Sequence, residues 1–501
     1  MKFTFAALGV LILCLLMALG VLPWPPLWPL VLAAASAGFL LTGARSNADM
    51  LHPVRVFGSL WCFCLALASM RLLSFISNWS LWMWALVLTG LLSFIGGFWL
   101  AGLKRSHQGK LPPAVREIPL KKIRLPIRRT LGVAAVCLLV GTSVLAYEDS
   151  LIGSIPIFAS NPDVARMKLF PVVGQSSLDT LSIKLVHPFV EFVKYGVLLA
   201  AIVLFQAERR SRKLTLACLA MILGGTLIYM SQGARGFAVQ VAIVLLVLFH
   251  YLRRRVRLKH VAAIVLSVFL FAGLFGAYRI RKSHSAPLFD RALSVSRFPQ
   301  GNFWEAVAFG YATATTSFEV FNELAQDFRV FRKPPHGFLL YAFHRFISRA
   351  NIQEFAAGLF TAQAITPTFL GEFYGDFGYF GVLVGPLILG LAYGWAYSRM
   401  ARTRGVYPVY VMALLLQMLI YFPYVNLFSQ YLTWIFDLFF MYFLIRGLER
   451  HALLTSAGAR GRFPAPAYPI AGGRLGAARL SGGPRTGQRR TATSHGGGVT
   501  Q

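Results

Sequence analysis

The chain has 501 residues, of which 56% are hydrophobic and only 13% are charged, and its formal net charge is +31. A soluble domain carries about 25% charged residues, so this composition excludes a single soluble core. The positive charge does not by itself indicate a nucleic-acid partner, because the basic residues lie between long apolar runs. That arrangement is typical of the cytoplasmic loops of membrane proteins.

The first predicted element is an apolar helix over residues 3–21, directly after Met1 and Lys2. A short apolar segment behind a positive charge could be a cleaved signal peptide. The Pro- and Trp-rich stretch at 21–26 is a poor cleavage site, which favours an uncleaved first span.

Apolar runs recur from one end of the chain to the other, and a bilayer crossing needs roughly 20 such residues. They predict an all-α polytopic membrane protein with about twelve transmembrane helices. These lie at 3–21, 27–43, 55–76, 80–103, 130–148, 186–206, 214–231, 235–252, 261–279, 369–399, 407–424 and 429–447. The run at 369–399 is long, and we expect its first turns to project outside the membrane.

The loops between these runs alternate in charge. The loops that begin at Lys104, Arg209, Arg253 and Arg399 are all basic, and a count of twelve spans places them on one side with both termini. Because Lys and Arg collect in cytoplasmic loops, that side is predicted to be the cytoplasm. Most acidic residues fall on the other side, which we call the outer side.

Two sizeable segments, at 149–185 and 280–368, are predicted to be outer loops of a transmembrane domain spanning 1–450. The second is far longer than a connection requires. Its aromatic-rich stretches predict amphipathic helices that lie on the membrane surface or cap a cavity. Residues 455–501, rich in Gly and Arg, are predicted to be a disordered basic cytoplasmic tail.

Several arginines on the outer side are not explained by topology, since cations are disfavoured in short outer loops. Arg235 is the clearest case, because it opens a helix at the Ser231–Gly236 turn. A helix N-terminus favours an anion, and the guanidinium fork matches phosphate. The alternative is a glycine-permitted turn with a snorkelling arginine. Arg166 is a second candidate, although it could instead pair with Asp163.

Candidate acid–base and sugar-binding groups also lie on the outer side. Glu372 and Asp376 share one helix face beside Tyr374, where carboxylates could bind sugar hydroxyls or act as a general base. They could equally stabilise a helix N-terminus. His336, in the large outer loop, could be a base near neutral pH, although a lone loop histidine is more often solvated.

Mid-span charges are few: Glu191 and Lys194 near one helix start, and Asp437 in the last helix. Asp437 is a functional candidate by its position, although an interhelical hydrogen bond is the simpler interpretation. The five cysteines lack metal-ligand or disulfide spacing, and no nucleotide-binding loop or zinc motif occurs. We therefore expect no metal and no cofactor.

Four stretches together resemble a known family. They are Gly153-Ser154-Ile155-Pro156 leading to Arg166, the turn Gly233-Ala234-Arg235-Gly236, Tyr278-Arg279, and the run Gly371-Glu372-Phe373-Tyr374-Gly375-Asp376-Phe377-Gly378. With the layout of spans over 1–450, they resemble the Wzy-type O-antigen or oligosaccharide repeat-unit polymerases of bacterial inner membranes.

The resemblance implies a GT-C-like glycosyltransferase that joins oligosaccharide units carried on undecaprenyl diphosphate at the outer leaflet. It implies no metal, a membrane-lipid setting and a chain-length regulator as a possible partner. The expected roles are diphosphate binding by Arg166, Arg235, Arg279 and Arg281, acceptor deprotonation by Glu372 or His336, and sugar contact by Tyr374 and Asp376. The alternatives are a ligase that uses the same lipid carrier and a transporter of lipid-linked glycan.

Overall fold

The computed structural model describes residues 28–44, 49–73, 79–106, 125–159, 186–206, 211–232, 235–281, 298, 301–326, 367–403, 405–424 and 431–460. All regular structure in these ranges is helical. The helices are α1 (Trp28–Ala44), α2 (Pro53–Ser69), α3 (Leu81–Ser106), α4 (Ile127–Ile152), α5 (Phe192–Gln206), α6 (Arg212–Met230), α7 (Arg235–Leu252), α8 (Leu258–Arg281), α9 (Asn302–Gln326), α10 (Phe369–Thr403), α11 (Val406–Tyr421) and α12 (Tyr431–Arg460). Short 3-10 helices occur at Pro156–Phe158 and at His187–Glu191, the second running directly into α5.

Residues 1–453 form one compact unit and residues 454–501 a second, of which the structure describes only the end of α12. Each predicted span from 27–43 onward coincides with one of the helices, whereas the first, at 3–21, lies outside the described residues. Most of the two predicted outer loops also lies outside them. Helix α9 falls within the predicted loop 280–368, and it packs against α2, α3, α8 and α10.

The described helices have the length and the surface of a membrane protein. Five segments, one of them α6, are long and apolar enough to cross a bilayer. Leu216, Leu223 and Leu227 of α6 are 61–66% exposed, an apolar surface that suits lipid rather than water. The chain is therefore a polytopic α-helical membrane protein.

The tightest helix pair is formed by α3 and α10, whose backbones approach closely at glycines. A Cβ atom at Gly97 would clash with the carbonyl oxygen of Leu387, and one at Gly390 would clash with that of Phe94. Small residues of this kind let membrane helices pack by direct backbone contact.

Helix α10 reverses direction at Gly378, which has φ 59° and ψ −143°. Residues 369–377 fold back along the main helix at 379–403, so that a Cβ atom at Gly381 would clash with the carbonyl oxygen of Phe373. The first turns of this predicted span therefore pack beside α3 within the helix bundle and do not continue the line of the main helix. The sign of φ at Gly378, which favours glycine, permits the reversal.

The start of α10 is consequently deep in the helix bundle. Leu370 contacts Gly90 of α3, whereas Tyr374 contacts Trp82 near the start of that helix. Gly90 lies nine residues after Leu81, about 14 Å at a rise of 1.5 Å per residue. The segment 369–377 thus runs from the middle of α3 back to its predicted outer end.

The helix ends predicted to face the cytoplasm meet at Asp49, which is 4% exposed. Its carboxylate accepts hydrogen bonds from His250 Nε2 (2.8 Å), Tyr251 (2.7 Å) and Tyr397 (2.8 Å), and from the Leu51 backbone N–H (2.9 Å). This inner Asp49 cluster joins the α1–α2 connection to the ends of α7 and α10.

Candidate functional site

At the predicted outer side, the end of α4 contacts the start of the next span. Glu148 Oε1 lies 2.8 Å from His187 Nδ1, and the Glu148 side chain is fully buried whereas that of His187 is 40% exposed. Helix α4 ends at Gly153, whose φ of 78° is typical of a glycine at a helix C-terminus. The turn allows the chain to leave α4 immediately beyond the Glu148 carboxylate.

The same end of α4 is tied to the turn before α7. Gln232 Nε2 donates a hydrogen bond to Asp149 Oδ1 at 2.9 Å, and the Ile157 N–H donates to the Ser231 carbonyl at 3.0 Å. The chain at 153–157, which includes one of the stretches that carry the family resemblance, therefore lies beside Ser231 and Gln232. Helix α7 begins at Arg235, as the sequence predicts.

Glu191, Lys194 and Asp437 form one group. Lys194 Nζ lies 2.6 Å from Glu191 Oε2 and 2.8 Å from Asp437 Oδ2. Asp437 also accepts a hydrogen bond from the Tyr195 hydroxyl at 2.5 Å, and Glu191 accepts one from Tyr229 at 3.2 Å. The interhelical hydrogen bond expected of Asp437 is confirmed, and it joins α12 to α5.

We call these groups the outer polar cluster. Its members are Glu148, Asp149, His187, Glu191, Lys194, Tyr195, Tyr229, Gln232 and Asp437. Two acceptor atoms in it, Glu148 Oε2 and Gln232 Oε1, are buried without a hydrogen-bond partner. Because buried acceptors are normally satisfied, both atoms are suited to receive donors such as hydroxyl groups or guanidinium N–H groups.

A small cavity continues from Lys194 into the bundle. It is lined by Lys194, Leu198, Gln240, Val241, Val244, Tyr410, Leu414 and Gln417. The Tyr410 hydroxyl is buried without a hydrogen-bond partner, so the polar atoms of the cavity have capacity for a further small polar group.

The predicted diphosphate ligands differ in how far the structure describes them. Arg166 lies outside the described residues. The backbone of Arg235 is the first turn of α7, beside the outer polar cluster, and the backbones of Arg279 and Arg281 form the end of α8. His336 also lies outside the described residues.

The predicted sugar-binding residues lie on the folded-back start of α10. Tyr374 is fully buried, and its hydroxyl accepts a hydrogen bond from Trp82 Nε1 and donates one to the Ala325 carbonyl, both at 3.3 Å. Asp376 is buried and Glu372 is half-buried. The ring of Trp82 lies 5.6 Å from that of Tyr379, and these two rings are 39% and 42% exposed.

The acidic and basic members of the outer polar cluster were visible in the sequence as separate residues, but their association was not. Glu148 and His187 are 39 positions apart, and Lys194 and Asp437 are 243 apart. The available signal for Glu148, His187 and Glu191 was their position at or near the predicted outer ends of spans, whereas Asp437 lies in the middle of its span. Among the described residues, no group of three or more His, Cys, Asp and Glu side chains is arranged to hold a metal ion.

Comparison with known proteins gives one family. The family model described as "Putative O-antigen polymerase" matches residues 51–424. No curated protein and no solved structure matches the chain. The matched region covers most of the sequence, from Leu51 through α11. The chain therefore belongs to the O-antigen polymerase family.

Proposed function

We propose that this protein polymerises oligosaccharide repeat units carried on undecaprenyl diphosphate, at the outer leaflet of the bacterial inner membrane. The proposed architecture is GT-C-like, with about twelve spans and both termini in the cytoplasm. Family membership supports polymerisation as the activity. The observation that carries the proposed site is that α7 begins at Arg235, beside the outer polar cluster.

The reaction requires preorganised positive charge. A hydroxyl of the incoming unit attacks the anomeric carbon of the growing chain, and the bond from that carbon to the lipid diphosphate breaks. Negative charge develops on the departing diphosphate in the transition state. Fixed cations and the N–H groups of a helix N-terminus stabilise that charge. Arg235 combines both features, and Arg166, Arg279 and Arg281 are the further proposed ligands.

The other proposed roles concern the sugars and the acceptor proton. Glu372 or His336 would take the proton, and Asp376 would bind a sugar hydroxyl. The Tyr374 hydroxyl is hydrogen-bonded within the protein. We therefore propose that Tyr374 positions Trp82, and that the exposed Trp82 ring, which lies beside Tyr379, contacts the sugar. Surrounding membrane lipid and a chain-length regulator are the proposed partners.

A transporter is the less favoured alternative. Transport needs a polar route across the membrane, and the buried side chains of α7 between Gln240 and His250 are all apolar. They are Val241, Ile243, Val244, Val247 and Leu248. A ligase would use the same lipid carrier and the same arginines, so only the product separates it from a polymerase.

The test is reconstitution of the full chain in liposomes with lipid-linked repeat units as the sole glycan. The wild-type protein should produce multimers, and Arg235→Ala should lower kcat about 100-fold or more, the usual effect of losing one transition-state donor. Arg235→Lys should retain part of the rate, because it keeps the charge and loses the fork.

Arg212 provides the matched control. It is also the first residue of a helix, α6, but at the predicted cytoplasmic end, and it is exposed. Arg212→Ala should polymerise at the wild-type rate. Wild-type protein that makes no multimers would contradict polymerisation, and an Arg235→Ala protein as fast as wild type would contradict the site.

A further inference from the structure

Glu148 and His187 form a carboxylate–imidazole pair in the outer polar cluster. The Oε1 and Nδ1 atoms are 2.8 Å apart, with the carboxylate fully buried and the imidazole 40% exposed. The carboxylate is held within α4 and the imidazole opens the 3-10 helix at His187–Glu191. One partner is thus fixed in the bundle and the other reaches the surface.

The hydrogen bond orients the imidazole. An ionised carboxylate can only accept, so His187 Nδ1 carries the proton and the lone pair of the neutral ring is on Nε2. The buried carboxylate also stabilises the imidazolium that forms when Nε2 takes up a proton. This is the arrangement by which a carboxylate makes a histidine an effective base.

Several charged side chains lie near the pair. Glu148 faces the His187 ring from α4, with Asp149 as the next residue, and Glu191 and Lys194 follow His187 along its own span, where they form an ion pair at 2.6 Å. Tyr229 of α6 bonds to Glu191 and also lies within the field of Glu148. Carboxylates therefore outnumber cations among the described groups near His187.

The pair is also next to the proposed diphosphate site. Asp149, the residue after Glu148, accepts the hydrogen bond from Gln232, which lies three residues before Arg235. A glycan whose diphosphate is bound at the start of α7 would bring its reacting carbon close to this end of α4.

We propose that His187 is the catalytic base of the polymerisation and that Glu148 is its positioning residue. The inference rests on the proposed function and replaces Glu372 and His336 in the proton-accepting role. The acceptor hydroxyl oxygen forms a bond to the anomeric carbon, and its proton passes to His187 Nε2. The bond from that carbon to the diphosphate oxygen breaks, and its electron pair leaves with the lipid diphosphate. Imidazolium then returns the proton to solvent.

The test uses the same liposomes and lipid-linked units. His187→Ala should lower kcat about 100-fold or more, the usual contribution of a general base, with KM nearly unchanged. Added imidazole should restore part of the rate in this variant. His260, exposed at the predicted cytoplasmic start of α8, is the matched control, and His260→Ala should behave as wild type.

The Glu148→Gln variant provides a second test, the pH dependence of the rate, in which the side chain is replaced by one of nearly the same shape. The amide keeps the shape and removes the negative charge, so the imidazolium loses its stabilising partner. The acid limb of the pH–rate profile should therefore move to lower pH, which a purely structural role for Glu148 would not produce.

The outcomes separate the two proposals. Wild-type multimers with an unchanged His187→Ala rate would overturn the assignment of the base and leave polymerisation standing. Loss of rate in His187→Ala without imidazole rescue, together with a wild-type pH profile in Glu148→Gln, would also overturn it. Absence of multimers with wild-type protein would overturn both proposals.

Discussion

Single buried polar residues connect distant parts of this chain. Burial alone would raise the pKa of Asp49, but the hydrogen bonds from His250, Tyr251 and Tyr397 hold that pKa well below its ordinary value. His250 Nδ1 accepts the Val256 N–H at 3.0 Å, so its Nε2 carries the proton donated to Asp49. One carboxylate thereby fixes the ends of α7 and α10 and the chain that follows α7.

His52, beside this cluster, should make the protein acid-sensitive. Burial lowers the pKa of His52 to about 4 from an ordinary value of 6.5. Because the folded pKa is the lower one, stability is complete above pH 6.5 and falls as the pH drops toward 4. A pKa lowered from 6.5 to about 4 corresponds to a loss of roughly 3 kcal/mol in the free energy of unfolding by pH 4. Thermal unfolding in detergent at a series of pH values measures it.

His52→Phe is the control for this prediction. The His52 ring packs against Phe98 at 4.9 Å and Tyr397 at 4.8 Å, and a phenyl ring can keep both contacts. Asp49 titrates in both proteins, so it cancels in the comparison. Equal acid sensitivity of the two proteins would refute the role of His52.

At the scale of elements, the reversal in α10 decides which residues meet at the predicted outer end of α3. It places Tyr374 against Trp82 and buries Phe369, whose ring stacks on Phe422 at 4.4 Å. The apolar run at 369–399 predicts a helix, but a continuous helix and a folded-back one have the same apolar composition. The only sequence signal for the reversal was the glycine at position 378. Glycine is also common within continuous membrane helices, so this signal alone does not predict a reversal.

Gly378→Ala tests the reversal. A Cβ atom is strained at φ 59° and ψ −143°, which costs on the order of 1–3 kcal/mol. We expect a lower melting temperature in detergent and reduced polymerisation, because Tyr374 and Trp82 lose their alignment.

Gly96 is the matched glycine, since it lies within α3 and an added Cβ atom would meet nothing within 4 Å. Gly96→Ala should be neutral or slightly stabilising, because alanine has the higher helix propensity. A Gly378→Ala protein with the melting temperature and activity of Gly96→Ala would show that the reversal does not require glycine.

At the scale of the whole molecule, the alternation of basic loops groups helix ends into two sets, and the structure brings members of each set together. Asp49, His250 and Tyr397 meet at the ends predicted to be cytoplasmic, and Asp149 and Gln232 at the ends predicted to be outer. The side on which each set lies is a prediction from charge alone.

Cysteine labelling tests this topology. Ser150, at the end of α4, and Arg254, after α7, are both exposed and belong to opposite sets. After replacement of the five native cysteines, Ser150→Cys should react with a membrane-impermeant maleimide added from the predicted outer side of the membrane. Arg254→Cys should react only after the membrane is opened. Labelling of both from one side, or the reverse order, would refute the predicted sides.

The sequence by itself determined that the protein is a polytopic α-helical membrane protein. The length of an apolar run and the charge of a loop are each properties of one segment, so they do not depend on how the helices pack. It also placed the start of α7 at Arg235, where glycines precede an apolar run. Only the tertiary structure decided that Glu148 meets His187, that Lys194 bridges Glu191 and Asp437, and that α10 folds back on itself. The Glu148–His187 and Lys194–Asp437 contacts join residues far apart in the chain, and the folded-back start of α10 packs against α3, so each depends on how separate helices pack together.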